Sequence, residues 1–290
     1  MRSLSEILLP TDFSPRSVDV ARFAAGVARH FHSKTTLLHV LPSPNPAWCG
    51  LWDGDILQEV LARQQEDTCR RLKMFMDDEF PGLEVKRIVA EGSASEVITE
   101  YAASQHVDLI MMPTRGCTAF RRFLLGSVTA KVLHDVSCPV WTSSHITDGR
   151  SAAAVIPKVI VCAVELTPDG QTILEWASNL AAELQARLIV VHAIPSLEFH
   201  PETYFLEADM RRSLIGDARS RISKVVCNSP TPTAEVRVEG GNVTTLVRAA
   251  IEDSRADLLI IGRPIGGMLG RLRTHSYALI RESPCPVISI

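Results

Sequence analysis

The chain lacks a surplus of either charge, clustered cysteines and any long apolar run. Its 30 Lys and Arg residues stand against 33 Asp and Glu, a formal net charge of -3. No global basic field recruits a nucleic-acid backbone, so nucleic acid is not an expected partner. Seven cysteines, at 49, 69, 117, 138, 162, 227 and 285, are odd in number and show no CxxC spacing. A zinc site needs clustered Cys and His ligands, so the metal reading is discarded and reduced core thiols are expected. The longest apolar runs, such as Leu188 to Val191, fall far short of the ~20 residues that cross a bilayer, and no membrane span is predicted. Residues 1–10 carry one Arg and an apolar patch of only Ile7, Leu8 and Leu9, not the apolar core of a secretory signal. A cytoplasmic location is the expectation.

What the chain does have is a duplication. Residues 7–15 (ILLPTDFSP) set beside residues 160–168 (IVCAVELTP) bring acid, hydroxyl and proline together at one offset (165 − 12 = 153), which His39 and His192 keep. The offset then shrinks: Asp108 matches Asp257 (257 − 108 = 149), and Cys138 matches Cys285 (285 − 138 = 147). At 290 residues, 46% of them hydrophobic, the chain suits two packed domains of about 150 residues each. The expected domains are 1–146 and 155–290, with residues 143–154 (SSHITDGRSAAA) as a linker.

Each copy alternates short β-rich runs with helical periodicity. This predicts an α/β fold of two tandem Rossmann-like domains, each a five-stranded parallel sheet with helices on both faces. Strands are expected near 5–10, 34–40, 84–90, 107–113 and 138–143, and again near 158–164, 187–193, 234–239, 257–262 and 286–290. Ser14-Pro15 reads as a helix cap followed by proline at the first helical position, with Val18, Ala21, Ala24, Ala25 and Ala28 as the apolar face. Residues 42–55 hold three prolines and two tryptophans and read as a loop over a site.

In an open parallel sheet ligands sit beyond the carboxyl ends of the strands, where strand order switches. In the first copy that brings together residues 10–14, 39–41 and 112–127. Leu109 to Met112 read as a buried strand, and Gly126-Ser127 opens a helix over Val128 to His134 whose first amides point into the loop. A glycine there lets an anion reach the main chain, and Ser127 adds a hydroxyl donor. Blander readings stand beside these: Gly126-Ser127 as an ordinary loop and cap, Asp12 as a second cap, Arg121 and Arg122 as a solvated pair, and Cys117 as a small loop residue. His39 and His192, among apolar neighbours, read as buried, hydrogen-bonded core histidines.

Gly116, nine residues, then Gly126-Ser127, together with Pro-Thr-Asp-Phe-Ser at 10–14, resemble the universal stress proteins in their tandem form. The resemblance spans nearly the whole chain. It implies that Asp12 and the main chain at Val40 face adenine and ribose, and that Gly116, Gly126, Ser127 and Val128 line the phosphates. Pro10, Thr11, Phe13, Met112, Pro113, Arg115 and Thr129 complete the candidate set, with no catalytic residue and no protein metal site. One position departs from the family pattern: Pro113 stands where the family has its first glycine, and it has no N–H to donate.

The second copy departs further, since Arg273-Thr274 aligns with Gly126-Ser127 and Glu165 with Asp12, while Gly262, Gly266, Gly267 and Gly270 form a glycine-rich stretch. That half is not expected to bind ATP in the family's way. The resemblance implies an ATP-binding protein of stress response or signalling, with Mg²⁺ accompanying the triphosphate and slow hydrolysis at most. It also implies pairing of the two halves through their last strands, and a homodimer is equally compatible. The competing readings are an enzyme acting at the α-phosphate, although no HxGH pair is present, and a scaffold that binds no ligand.

Overall fold

Ile7, Leu8 and Leu9 are each at most 1% exposed, as consecutive residues of a strand covered on both faces must be. They belong to β1 (Glu6–Pro10), which pairs in parallel with β2 (Lys34–Leu41) and β4 (Leu109–Pro113); β2 in turn pairs with β3 (Val85–Glu91). With β5 (Val140–Ser143) the order across the sheet is β3-β2-β1-β4-β5, so the order reverses between β1 and β4. The computed structural model describes residues 4–44, 54–116, 125–143, 156–197, 208–231, 233–263 and 272–290. The expected linker and most of the expected loop at 42–55 lie outside these residues.

The chain divides into two compact units, one spanning Arg2–Trp141 and the other chiefly Ile156–Ile290. The second unit repeats the first strand for strand. Its β6 (Val159–Ala163), β7 (Arg187–Ile194), β8 (Glu235–Gly240), β9 (Leu258–Ile261) and β10 (Val287–Ser289) lie in the order β10-β9-β6-β7-β8, and neighbouring strands pair in parallel. Helices α1 (Pro15–Phe31), α2 (Gly54–Met74), α3 (Ala94–Ser104) and α4 (Ser127–Asp135) connect the strands of the first unit. Helices α5 (Pro168–Glu183), α6 (Ala208–Cys227), α7 (Val243–Ser254) and α8 (Leu272–Glu282) do so in the second.

Local chemistry explains the element ends. Ser14 accepts a hydrogen bond from Ser17 N at the start of α1, and Thr167 accepts one from Gly170 N at the start of α5, each followed by proline. Ala21, Ala24, Ala25 and Ala28 are essentially unexposed on α1, a stripe narrow enough to bring the helix close to the sheet; Val20 joins it, and Val18 is only half-buried. The last two residues of the expected loop at 42–55 belong instead to α2, which begins at Gly54.

Several contacts occur twice. Asp108 Oδ2 accepts from Ser5 N and Glu6 N at 2.9 Å each, and Asp257 Oδ2 accepts from Lys158 N and Val159 N at 3.0 Å each. A carboxylate ahead of the fourth strand thus holds the start of the first strand in both units. His39 Nδ1 lies 2.7 Å from Thr11 O and His192 Nδ1 lies 2.9 Å from Val164 O. Both histidines are hydrogen-bonded as expected but half-buried, a correction that follows from their place at the open upper end of a strand.

The cysteines are also mixed. Cys162 and Cys285 are buried, and burial pushes the Cys162 thiol well up, while Cys69 and Cys227 are exposed on α2 and α6, contrary to the core reading. Cys49 and Cys117 lie outside the described residues. Among those residues no helix is long and apolar enough to cross a membrane.

Replacing Asp108 by Ala leaves two backbone amides without their acceptor, and the expected loss is about 1–3 kcal/mol in urea unfolding. Asp257→Ala is expected to cost a similar amount.

Candidate functional site

The site is built where β4 hands over to α4. Thr129 Oγ1 donates to Pro113 O at 3.0 Å and Gly126 N donates to Thr114 O at 2.9 Å, so the first turn of the helix is tied to the end of the strand. Thr129 is 3% exposed, which shields that bond from water. Gly126 is the cap residue at φ -63° and ψ 145°, a backbone open to any residue. Its lack of a side chain therefore matters for space: a Cβ would lie 3.3 Å from Thr114 O and 3.4 Å from Arg115 Cα. Among the described residues no side chain caps the turn, so the amides that open α4 are available to an anion or water, and the helix dipole favours the anion by ~0.3–1 kcal/mol. Ser127 is exposed beside them.

The end of β1 closes on the same loop. Asp12 Oδ1 accepts from Ser14 N at 3.0 Å and from Ser17 Oγ at 2.6 Å, while a Cβ on Gly116 would fall 2.5 Å from Asp12 Oδ2. A side chain there would have to displace that carboxylate. Arg16 Nη1 donates to Gly116 O at 3.2 Å and pins the loop to α1 from the other side. Asp12 and Gly116 are thus in direct contact, and Gly126 meets Thr114 and Arg115 just upstream of Gly116.

Val40 joins the group only through its strand: Thr11 N donates to Leu38 O, and β2 runs on past the end of β1, pairing Val40 with Ala90. Pro10, Thr11, Met112 and Pro113 are buried at the strand ends, and Arg115 is 8% exposed and engaged with other groups. Val128 is half-buried in the first turn of α4. Arg121 and Arg122 lie outside the described residues.

Phe13 sits at φ 60°, a left-handed conformation that non-glycine residues rarely adopt. Its ring lies 4.4 Å from the His39 ring and 5.3 Å, edge-on, from Phe75, with the Arg71 guanidinium 4.2 Å above it. Sequence reasoning missed Arg16, Ser17, Arg71 and Phe75. Ser17 carried one faint signal, its position three residues after the Ser14 cap. Nothing in the sequence separates Arg16 or Arg71 from solvated arginines.

The second unit keeps the tie and changes the turn. Ser276 Oγ donates to Gly262 O at 3.1 Å, the counterpart of Thr129 on Pro113. Yet α8 begins at Leu272, so Arg273 and Thr274 lie within the first helical turn where the first unit has a cap and a start. Partial burial holds the Glu165 carboxyl above its ordinary value. His192 is held below its ordinary value by burial first and by the Arg221 charge, against its bond to the Val164 carbonyl.

The universal stress protein family matches the chain twice, over residues 4–143 and 157–290. The chain belongs to that family. A universal stress protein of Mycobacterium bovis is 25% identical over 97% of this chain and 95% of its own length. One from Methanocaldococcus jannaschii is 30% identical over 47% of this chain and 79% of its own. The crystal structure of a universal stress protein from Archaeoglobus fulgidus superposes with a TM-score of 0.71 at 21% identity, covering 100% of this chain and 98% of that one. That likeness shows the fold, a duplicated Rossmann-like unit.

Because burial holds His192 below its ordinary value in the folded protein, its contribution to stability is present above the free-histidine value near 6.5 and is lost as pH falls below it. The urea midpoint of this universal stress protein is expected to drop between pH 7 and 5, and His192→Gln to flatten part of that drop.

Proposed function

We propose that the first half of the chain, as a domain of residues 1–146, binds an adenine nucleotide, and that ATP with Mg²⁺ is its ligand. The observation that carries this reading is the uncapped first turn of α4, tied over the end of β4 beside the point where strand order reverses. Gly116, Gly126, Ser127 and Val128 supply main-chain and hydroxyl donors to the phosphates, and Asp12 with the Val40 main chain faces the nucleoside. Pro113 offers a carbonyl but no N–H, and that carbonyl is already taken by Thr129, so the strand end contributes shape and not a donor.

Among the described residues no group of three or more His, Cys, Asp or Glu converges as a metal site. Mg²⁺ is therefore held by phosphate oxygens and water, with the protein supplying few ligands. Membership of the universal stress protein family supports a role in stress response or signalling. Binding acts through conformation or partner choice, and turnover is at most slow. The second half, residues 155–290, does not bind nucleotide in this way. The pairing of the two halves as a pseudo-dimer, and the cytoplasmic location, belong to the same reading.

Isothermal titration with MgATP is expected to give one nucleotide per chain. Gly126→Ala fits the backbone and is expected to keep the fold within about 1 kcal/mol. Gly126→Asp sets a carboxylate against the phosphates and is expected to weaken binding by a factor of ten or more, about 1.4 kcal/mol. A stoichiometry of two, or unchanged binding in Gly126→Asp, places the nucleotide elsewhere; no binding at all, with no nucleotide co-purifying, favours the scaffold reading.

A further inference from the structure

The turn after the first strand is built differently in the two halves. In the first, the Phe13 ring occupies the space above the turn, held by His39, Phe75 and Arg71 at the distances given above. In the second, Leu166 stands at that position (166 − 13 = 153) and no ring contact involves it. A cavity of about 410 Å³ opens instead, between the β6–α5 turn and α6, inside the second unit alone. That volume is within the ~300–1,000 Å³ range of small-molecule pockets.

The turn itself is rebuilt around this space. Gly170 takes the place of Ser17 (170 − 17 = 153), and a Cβ there would lie 2.0 Å from Glu165 O. The main chain of the turn is thus drawn down onto α5 in a way the first half cannot copy. The same exchange removes the hydroxyl that holds Asp12, so Glu165 has no counterpart of that bond and lines the cavity.

The lining has two parts. Val164, Leu166, Leu174, Ile222 and Val225 form an apolar wall. Arg221 and Lys224 of α6 stand at its edge, each without an ion-pair partner among the described residues, and Glu165 is the one acid in the lining. Two cations against one carboxylate, beside an apolar wall, select an anion that carries an apolar body.

We propose that the second half holds a small-molecule site of its own, in this cavity, and that its ligand is a small organic anion of the alkyl carboxylate class. The apolar body lies against Leu166, Leu174 and Ile222, and the carboxylate meets Arg221 and Lys224. The partly desolvated Glu165, whose carboxyl is held above its ordinary value, opposes such a ligand less than a solvated glutamate does. The site is independent of nucleotide binding in the first half.

Calorimetric titration of the full chain with octanoate tests this, with octanamide as the uncharged control. Octanoate is expected to bind once per chain, at least ~10-fold more tightly than octanamide, and more weakly as salt rises, because the cations are exposed. Leu166→Phe, which adds bulk to the apolar wall, is expected to weaken octanoate ~10-fold while leaving MgATP binding unchanged. Lys224→Glu, on the exposed face of α6, is expected to do the same and does not depend on how the interior tolerates a larger residue. Absence of octanoate binding at millimolar concentration, equal binding of octanamide, or unchanged binding in Lys224→Glu overturns the proposal.

Discussion

The tie between the first turn of α4 and the end of β4 is the constraint on which the candidate site depends. Thr129 Oγ1 and Gly126 N reach the carbonyls of Pro113 and Thr114, and with these bonds in place the helix can aim its opening amides only at the loop beyond the sheet. Because Thr129 is buried, breaking its bond would strand a carbonyl away from water, which makes the geometry rigid rather than a preference.

The second unit shows that this tie serves the fold and that the open turn is a separate feature. Ser276 reproduces the bond to Gly262, the strand order is the same, and Asp257 anchors β6 as Asp108 anchors β1. What differs is where the helix begins and which side chains surround the turn after the first strand. Where the first unit has Asp12 braced by Ser17 and a packed Phe13 ring, the second has Glu165, Gly170 and Leu166 beside a cavity. Membership of one family is thus compatible with two different surfaces on two copies of one scaffold.

Much of this was readable beforehand, for identifiable reasons. Continuous apolar runs such as Leu109 to Met112 announce strands buried on both faces, and Ser14-Pro15 and Thr167-Pro168 announce helix starts, because both signals are local in the chain. The matched Asp108 and Asp257 were visible as a repeat. Their role as acceptors for the first residues of β1 and β6 was not, since the partners lie about a hundred positions away.

The sequence by itself determined the strand and helix pattern, the duplication and the glycine-serine turn, since each depends on side-chain identity at short spacing. Only the tertiary structure decided that Arg16 pins Gly116, that Arg71 and Phe75 close over Phe13, and that α8 begins ahead of Arg273. Those outcomes depend on which distant segments share a space, and such meetings have no signature along the chain.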